Sequence, residues 1–179
     1  DGAITELIAD GEITGKSNQF VQIHTLGKIK PKRIIVAGLG KMDRFDKDSI
    51  RNILGTICRN LRSKGIKDIA TVAHGAGVGG LNASDSAQAI VEGSLMGLYR
   101  FVSHRSTDDK NEIERLTIVD IDASKASDLE HGIKRGVVLG EASNLARDLG
   151  NEPANYMTPS DMAEVSSRVA KESSLEIEV

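Results

Sequence analysis

Apolar residues along the chain fall into short runs that alternate with longer helical stripes. Ile4, Leu7 and Ile8 lie at helical spacing and predict a short first helix that stops near Asp10 and Gly11. Residues 20–23 read as a strand, and residues 33–37 as a second. The continuous run Ile34-Ile35-Val36 in the second suggests burial on both faces. Gly38-Leu39-Gly40 then predicts a turn. Ile50, Ile53, Leu54, Ile57 and Leu61 form a strong helical stripe, started by Asp46 or Asp48 and stopped at Gly65. Residues 68–73 predict a third strand, followed by a glycine-rich loop. Ser84 or Asp85 is the expected cap of a helix carrying Ala87, Ile90, Val91, Leu95 and Leu98.

The second half continues the alternation. Residues 116–120 predict a fourth strand. Leu129, Ile133, Val137, Leu145 and Leu149 place a long helix over about residues 127–149, broken by Asn151-Glu152-Pro153. Thr158-Pro159-Ser160-Asp161 has the form of a helix start, with Thr as cap, Pro first and Asp three after the cap. Leu175–Val179 alternates like a strand. Strands alternating with helices predict an α/β domain with a largely parallel sheet. The long helix marks a boundary near residue 150: residues 1–150 form one unit ending in a connector helix, and residues 151–179 open another.

Composition narrows the class. The chain has 179 residues, with room for one domain and the opening of a second. Aromatics are 3 % with no Trp, so the core must be aliphatic. A net charge of −3 gives little support to nucleic-acid binding, which needs a basic face to displace counterions. Cys58 stands alone, which excludes an intrachain disulfide and fits a reducing cytoplasm. No run reaches the ~18 apolar residues that span a bilayer, and no signal peptide is visible.

Candidate chemistry is sparse. Gly75, Gly77 and Gly80 satisfy G-x-G-x-x-G after a strand and before a helix, where backbone N–H groups could cradle a diphosphate. However, Leu81-Asn82-Ala83 separates the motif from the helix that should open inside it. Gly38-Leu39-Gly40-Lys41 falls short of a phosphate loop, because Met42 stands where Ser or Thr is needed and Ile35 where the first Gly is needed. His24, His74, His104 and His131 include no pair at helical zinc-ligand spacing. His74, at a strand end beside the glycine-rich loop, is the most interesting of them. Asp120 and Asp122 at a strand end could hold a metal, but acids commonly finish strands at solvent-facing turns. No G-x-S-x-G nucleophile elbow occurs. These residues alone compose no active site.

Four segments carry a resemblance. Residues 144–159, Asn-Leu-Ala-Arg-Asp-Leu-Gly-Asn-Glu-Pro-Ala-Asn-Tyr-Met-Thr-Pro, closely resemble the interdomain segment of the leucine (cytosol) aminopeptidase family. Residues 33–41 resemble that family's strand ending in G-L-G-K, residues 92–101 its helix E-G-x-x-L-x-x-Y-x-F, and residues 11–16 its early G-x-x-x-G-K. The resemblance implies an N-terminal domain that is a three-layer α/β sandwich with a mixed, largely parallel sheet, similar to macro domains. It also implies a cytoplasmic, hexameric enzyme that removes N-terminal residues from peptides with two divalent metals, zinc or manganese. That family's Asp, Glu and Lys ligands and its N-T-D-A-E-G-R motif lie in the C-terminal domain and do not occur here, so no catalytic residue or metal ligand carries over. The expected partner of this chain is its own catalytic domain, with peptide bound elsewhere. The alternatives are a nucleotide or ADP-ribose module acting through Gly75, Gly77 and Gly80, and a DNA-binding accessory domain.

Overall fold

The computed structural model describes residues 2–76, 80–104 and 111–178. Among these residues five α-helices and four strands follow in the order α1 (Ala3–Ala9), β1 (Phe20–His24), β2 (Arg33–Ala37), α2 (Lys47–Ser63), β3 (Asp68–Val72), α3 (Ala83–Leu98), β4 (Arg115–Val119), α4 (Ala126–Asn151) and α5 (Pro159–Glu172). The α/β class follows directly from this order.

The strands form two ladders. β1 and β2 are antiparallel, with Phe20 opposite Ala37 and His24 opposite Arg33. Residues 25–32 are too short a connection for a parallel crossover, which needs about a dozen residues or more. β3 and β4 are parallel, with Asp68 opposite Arg115 and Val72 opposite Val119, and α3 lies in the crossover between them. The pairing is therefore mixed. All five residues of β2 are half-buried, so neither face is sealed as the apolar run predicted; β1 is β2's partner in its two-stranded ladder. Leu175–Glu178 pair with no strand among the described residues, contrary to the expectation of a terminal strand, because an alternating segment becomes a strand only where a partner satisfies its backbone.

The stripe on α2 fills the core as its spacing requires. Ile50, Ile53, Leu54, Ile57 and Leu61 cluster with Ala89 and Ile90 of α3. Phe20, Ile35 and Ala37 from the first ladder and Ile69, Leu116 and Ile118 from the second pack onto this cluster. Burying each such aliphatic side chain is worth about 1.5–3 kcal/mol. On the opposite face of the first ladder, Ile23 and Ile34 meet Ile4 of α1 around a cavity of about 590 Å³. Asp46 caps α2 in a capping box with Ser49. Asn82, rather than Ser84 or Asp85, caps α3 by accepting from the Asp85 N–H, so α3 begins earlier than its apolar residues indicated.

Helices α2, α3 and α4 stack through glycines. A Cβ on Gly97 would stand 2.4 Å from Gly55 Cα, and one on Gly132 would stand 2.1 Å from the Ser84 carbonyl oxygen. Gly136 and Gly140 continue the seam on α4, against Gln88 and Val91 and against Leu95. Only four residues of α4 are buried: Leu129, Gly132, Gly136 and Gly140. Because α3 is enclosed on both sides, it also buries polar groups. Glu92 and Gln88 are each 4 % exposed, and Glu92 is paired with Arg51 of α2 and accepts from Gln88 Nε2 at 2.6 Å.

Candidate functional site

A polar constellation joins the C-terminal ends of α3 and α4. As α3 ends at Leu98, its last carbonyls lack intrahelical donors. Side chains of α4 supply them: Asn144 Nδ2 donates to the Leu95 carbonyl at 3.2 Å, and Arg147 Nη1 to the Met96 carbonyl at 2.9 Å. The Arg147 guanidinium also lies 3.8 Å above the Tyr99 ring centroid, a cation–π contact. The Tyr99 hydroxyl donates to Asp148 Oδ1 at 2.8 Å and accepts from Asn151 Nδ2 at 3.1 Å. Asn144, Arg147, Asp148 and Asn151 are related by steps of three and four residues, so one face of α4 presents all four to the end of α3 and to Tyr99 just beyond it.

The latch continues past the helix. Glu152 caps the end of α4 and is paired with His104. The His104 ring stacks on Tyr156 at 4.4 Å between centroids and 26° between planes. Pro153 accepts from the Tyr156 and Met157 N–H groups, forming the turn that leads into α5. Thr158 and Asp161 form the predicted capping box: the Asp161 carboxylate accepts from the Thr158 N–H at 2.8 Å and from its hydroxyl at 2.5 Å. Those bonds hold the Asp161 carboxyl below the usual carboxylate range. Residues 144–159 are thus a contiguous device that fixes how the chain leaves α4. α5 itself buries only Ala170.

The other predicted candidates lie elsewhere and do not converge. Gly75 and Gly80 both adopt positive φ, 74° and 75°, and Gly77 lies outside the described residues. The α3 N-terminus beyond the loop already holds the Asn82 side chain and the Asp85 carboxylate, which pairs with Lys47 at 2.6 Å. A carboxylate there competes with an incoming anion. His74 anchors the loop start: its carbonyl accepts from the buried Ser86 hydroxyl at 2.6 Å, and its Nε2 lies 2.9 Å from Thr71 Oγ1. Burial pushes the His74 imidazole below its ordinary pKa. Asp120 accepts from the Asp122 N–H, and Asp122 caps the following turn by accepting from Ser124, so both carboxylates serve local structure. His24 contacts Gln22, and His131 lies exposed on α4. Cys58 is 1 % exposed, and burial pushes its thiol pKa up. Among the described residues no group of three or more His, Cys, Asp or Glu side chains could hold a metal ion. No described helix is long and apolar enough to cross a membrane.

An α/β fold closed by a long helix, α4, whose foot is latched by side chains, is the class that fold and site together define. The chain belongs to the cytosol aminopeptidase family: residues 1–108 match that family's N-terminal domain. The probable cytosol aminopeptidase of Alkaliphilus metalliredigens is 32 % identical over 181 residues, covering 99 % of this chain and 36 % of that protein. The probable cytosol aminopeptidase of Solibacter usitatus is 33 % identical over 174 residues, covering 97 % of this chain and 35 % of that protein. This chain therefore spans about a third of the length of these relatives. A mutant tomato leucine aminopeptidase superposes with a TM-score of 0.78 at 25 % identity, over 97 % of this chain and 33 % of that one. The bottromycin maturation enzyme BotP in complex with Mn shares the fold, with a TM-score of 0.78 at 22 % identity over 98 % of this chain and 34 % of that one.

The latch as a unit escaped sequence reasoning. Asn144, Arg147, Asp148 and Asn151 were legible as a motif, but nothing in the sequence assigned them Tyr99 or the α3 carbonyls as partners. Their common helical face was the available signal.

Proposed function

We propose that this chain is the non-catalytic N-terminal part of a two-metal leucyl aminopeptidase, an enzyme that removes N-terminal amino acids from peptides. The observation that carries this reading is residues 144–159. They resemble the family's interdomain segment, and they fold as the latch between α3, α4 and the start of α5. Residues 1–150 are then the accessory domain and its connector, and residues 151–179 open the catalytic domain. The exposed apolar residues Tyr156, Met162, Leu175 and Ile177 supply surface for the rest of that domain to cover.

The described residues do not fit a two-metal centre, since no suitable cluster of ligands exists among them. In this reading zinc or manganese and the peptide are held by a C-terminal domain. The Mn in the BotP complex supports a divalent ion of that kind. In this reading the accessory domain shapes a cytoplasmic hexamer and limits access to its active sites. The name of the relatives, cytosol aminopeptidase, supports the compartment.

Reading the source frame past the codon for Val179 tests the assignment. It should continue into a segment with the Asp, Glu and Lys ligands and N-T-D-A-E-G-R. A stop codon directly after Val179 would contradict it.

A further inference from the structure

Two glycine-containing motifs to which the proposed function gives no chemical role meet in space. Gly15-Lys16 ends the first and Gly40-Lys41 the second, and the Gly40 N–H donates to the Gly15 carbonyl at 3.0 Å. The approach is close: a Cβ on Gly38 would stand 2.1 Å from the Lys16 carbonyl oxygen, and one on Gly40 would stand 3.1 Å from Ser17 Cβ. Beside this junction lies an open cavity of about 510 Å³. Its lining includes three cations, Lys16, Lys41 and Arg44, and the hydroxyl residues Thr14, Ser17 and Ser49, with no carboxylate.

We propose that this cavity is a binding site for a small oligophosphate anion, held by Lys16, Lys41 and Arg44. Three cationic residues from two segments line this one cavity on a chain whose net charge is −3, so the concentration is local. None of the three forms an ion pair among the described residues. Asp46, next to the lining residue Ser49 through the α2 cap, is already engaged: it accepts from the Ser49 N–H and hydroxyl, both at 2.8 Å. Asp43 lies in the short turn between Lys41 and Arg44 but does not line the cavity. Recognition here would run through side-chain cations and hydroxyls. It does not need the backbone loop that Gly38-Leu39-Gly40-Lys41 fails to form, since lysine serves as a point charge and arginine as a fork for phosphate oxygens. A concave site of this size suits a compact anion carrying several charges better than the regular backbone of a rigid duplex.

Calorimetric titration of the chain with sodium tripolyphosphate tests the site, with inorganic phosphate and duplex DNA as comparison ligands. Tripolyphosphate should bind with one-to-one stoichiometry and more tightly than phosphate, with affinity falling as salt rises. Lys41→Ala and Arg44→Ala should each weaken it about tenfold, while Lys41→Arg retains binding and Lys134→Ala, on the remote helix α4, changes nothing. All three substituted side chains, Lys41, Arg44 and Lys134, are exposed, so the variants keep the fold. No heat at millimolar tripolyphosphate would overturn the proposal. So would equal weakening by Lys134→Ala, or binding of duplex DNA with none of tripolyphosphate. None of these outcomes bears on the aminopeptidase reading, which residues 144–159 carry and which the source frame beyond Val179 tests.

Discussion

Gly132 of α4 rests directly on Ser84 of α3, so close that a Cβ on Gly132 would stand 2.1 Å from the Ser84 carbonyl oxygen. The obstacle is backbone, not a side chain that could turn away. Alanine in a helix interior is normally worth up to about 1 kcal/mol over glycine. Here the helices must part, and overpacking of this kind costs about 1–3 kcal/mol or more. Gly132→Ala should therefore lose roughly 2 kcal/mol in urea unfolding. Gly150→Ala, where nothing lies within 4 Å, should be neutral or slightly stabilising.

That seam shows where the sequence was silent. The stripe on α2 and the Thr158 box were legible because each follows a local rule, helical period in one case and capping in the other. The glycines of α4 were not, because glycine contributes no hydrophobic signal and reads locally as a weak helix former. Their value comes only from the neighbour they let in. The same limit explains β1 and β2, whose strands were visible while their antiparallel pairing depended on the connection. It also explains Leu175–Glu178, whose alternation alone could not supply a partner.

Among the ion pairs of the described residues, that of Arg51 and Glu92 has the most buried carboxylate. The Glu92 side chain is 5 % exposed and that of Arg51 27 %. Arg51→Ala leaves a buried carboxylate with Gln88 as its remaining partner, and should cost about 3 kcal/mol. Adding Glu92→Gln should restore part of that loss. A double-mutant cycle by chemical denaturation checks the coupling, which additive losses would deny.

The latch predicts a smaller, localised effect. Tyr99→Phe removes a hydroxyl that bonds both Asp148 and Asn151 but keeps the ring beneath Arg147. These bonds are solvent-exposed, so the global loss should be about 0.5–1 kcal/mol. Hydrogen exchange should quicken over residues 148–158 and stay unchanged in α2. Uniform acceleration across the chain would contradict a local latch.

Burial lowers the pKa of His74 in the folded protein, so below the ordinary histidine value of 6.5 the unfolded chain binds the proton more readily. Its contribution to stability is full above pH 6.5 and is lost as pH falls from there through the lowered folded value. His74→Gln should flatten the stability profile in that window, measured by thermal unfolding against pH. An unchanged slope would show that His74 titrates alike in both states.

The most direct test of the aminopeptidase account is metal-dependent release of leucine from leucine amide, measured for the purified chain and for the product of its complete reading frame. The account predicts turnover by the complete product with manganese or zinc, and none by residues 1–179 alone. Turnover by this chain, or a complete product inactive with either metal, would contradict it.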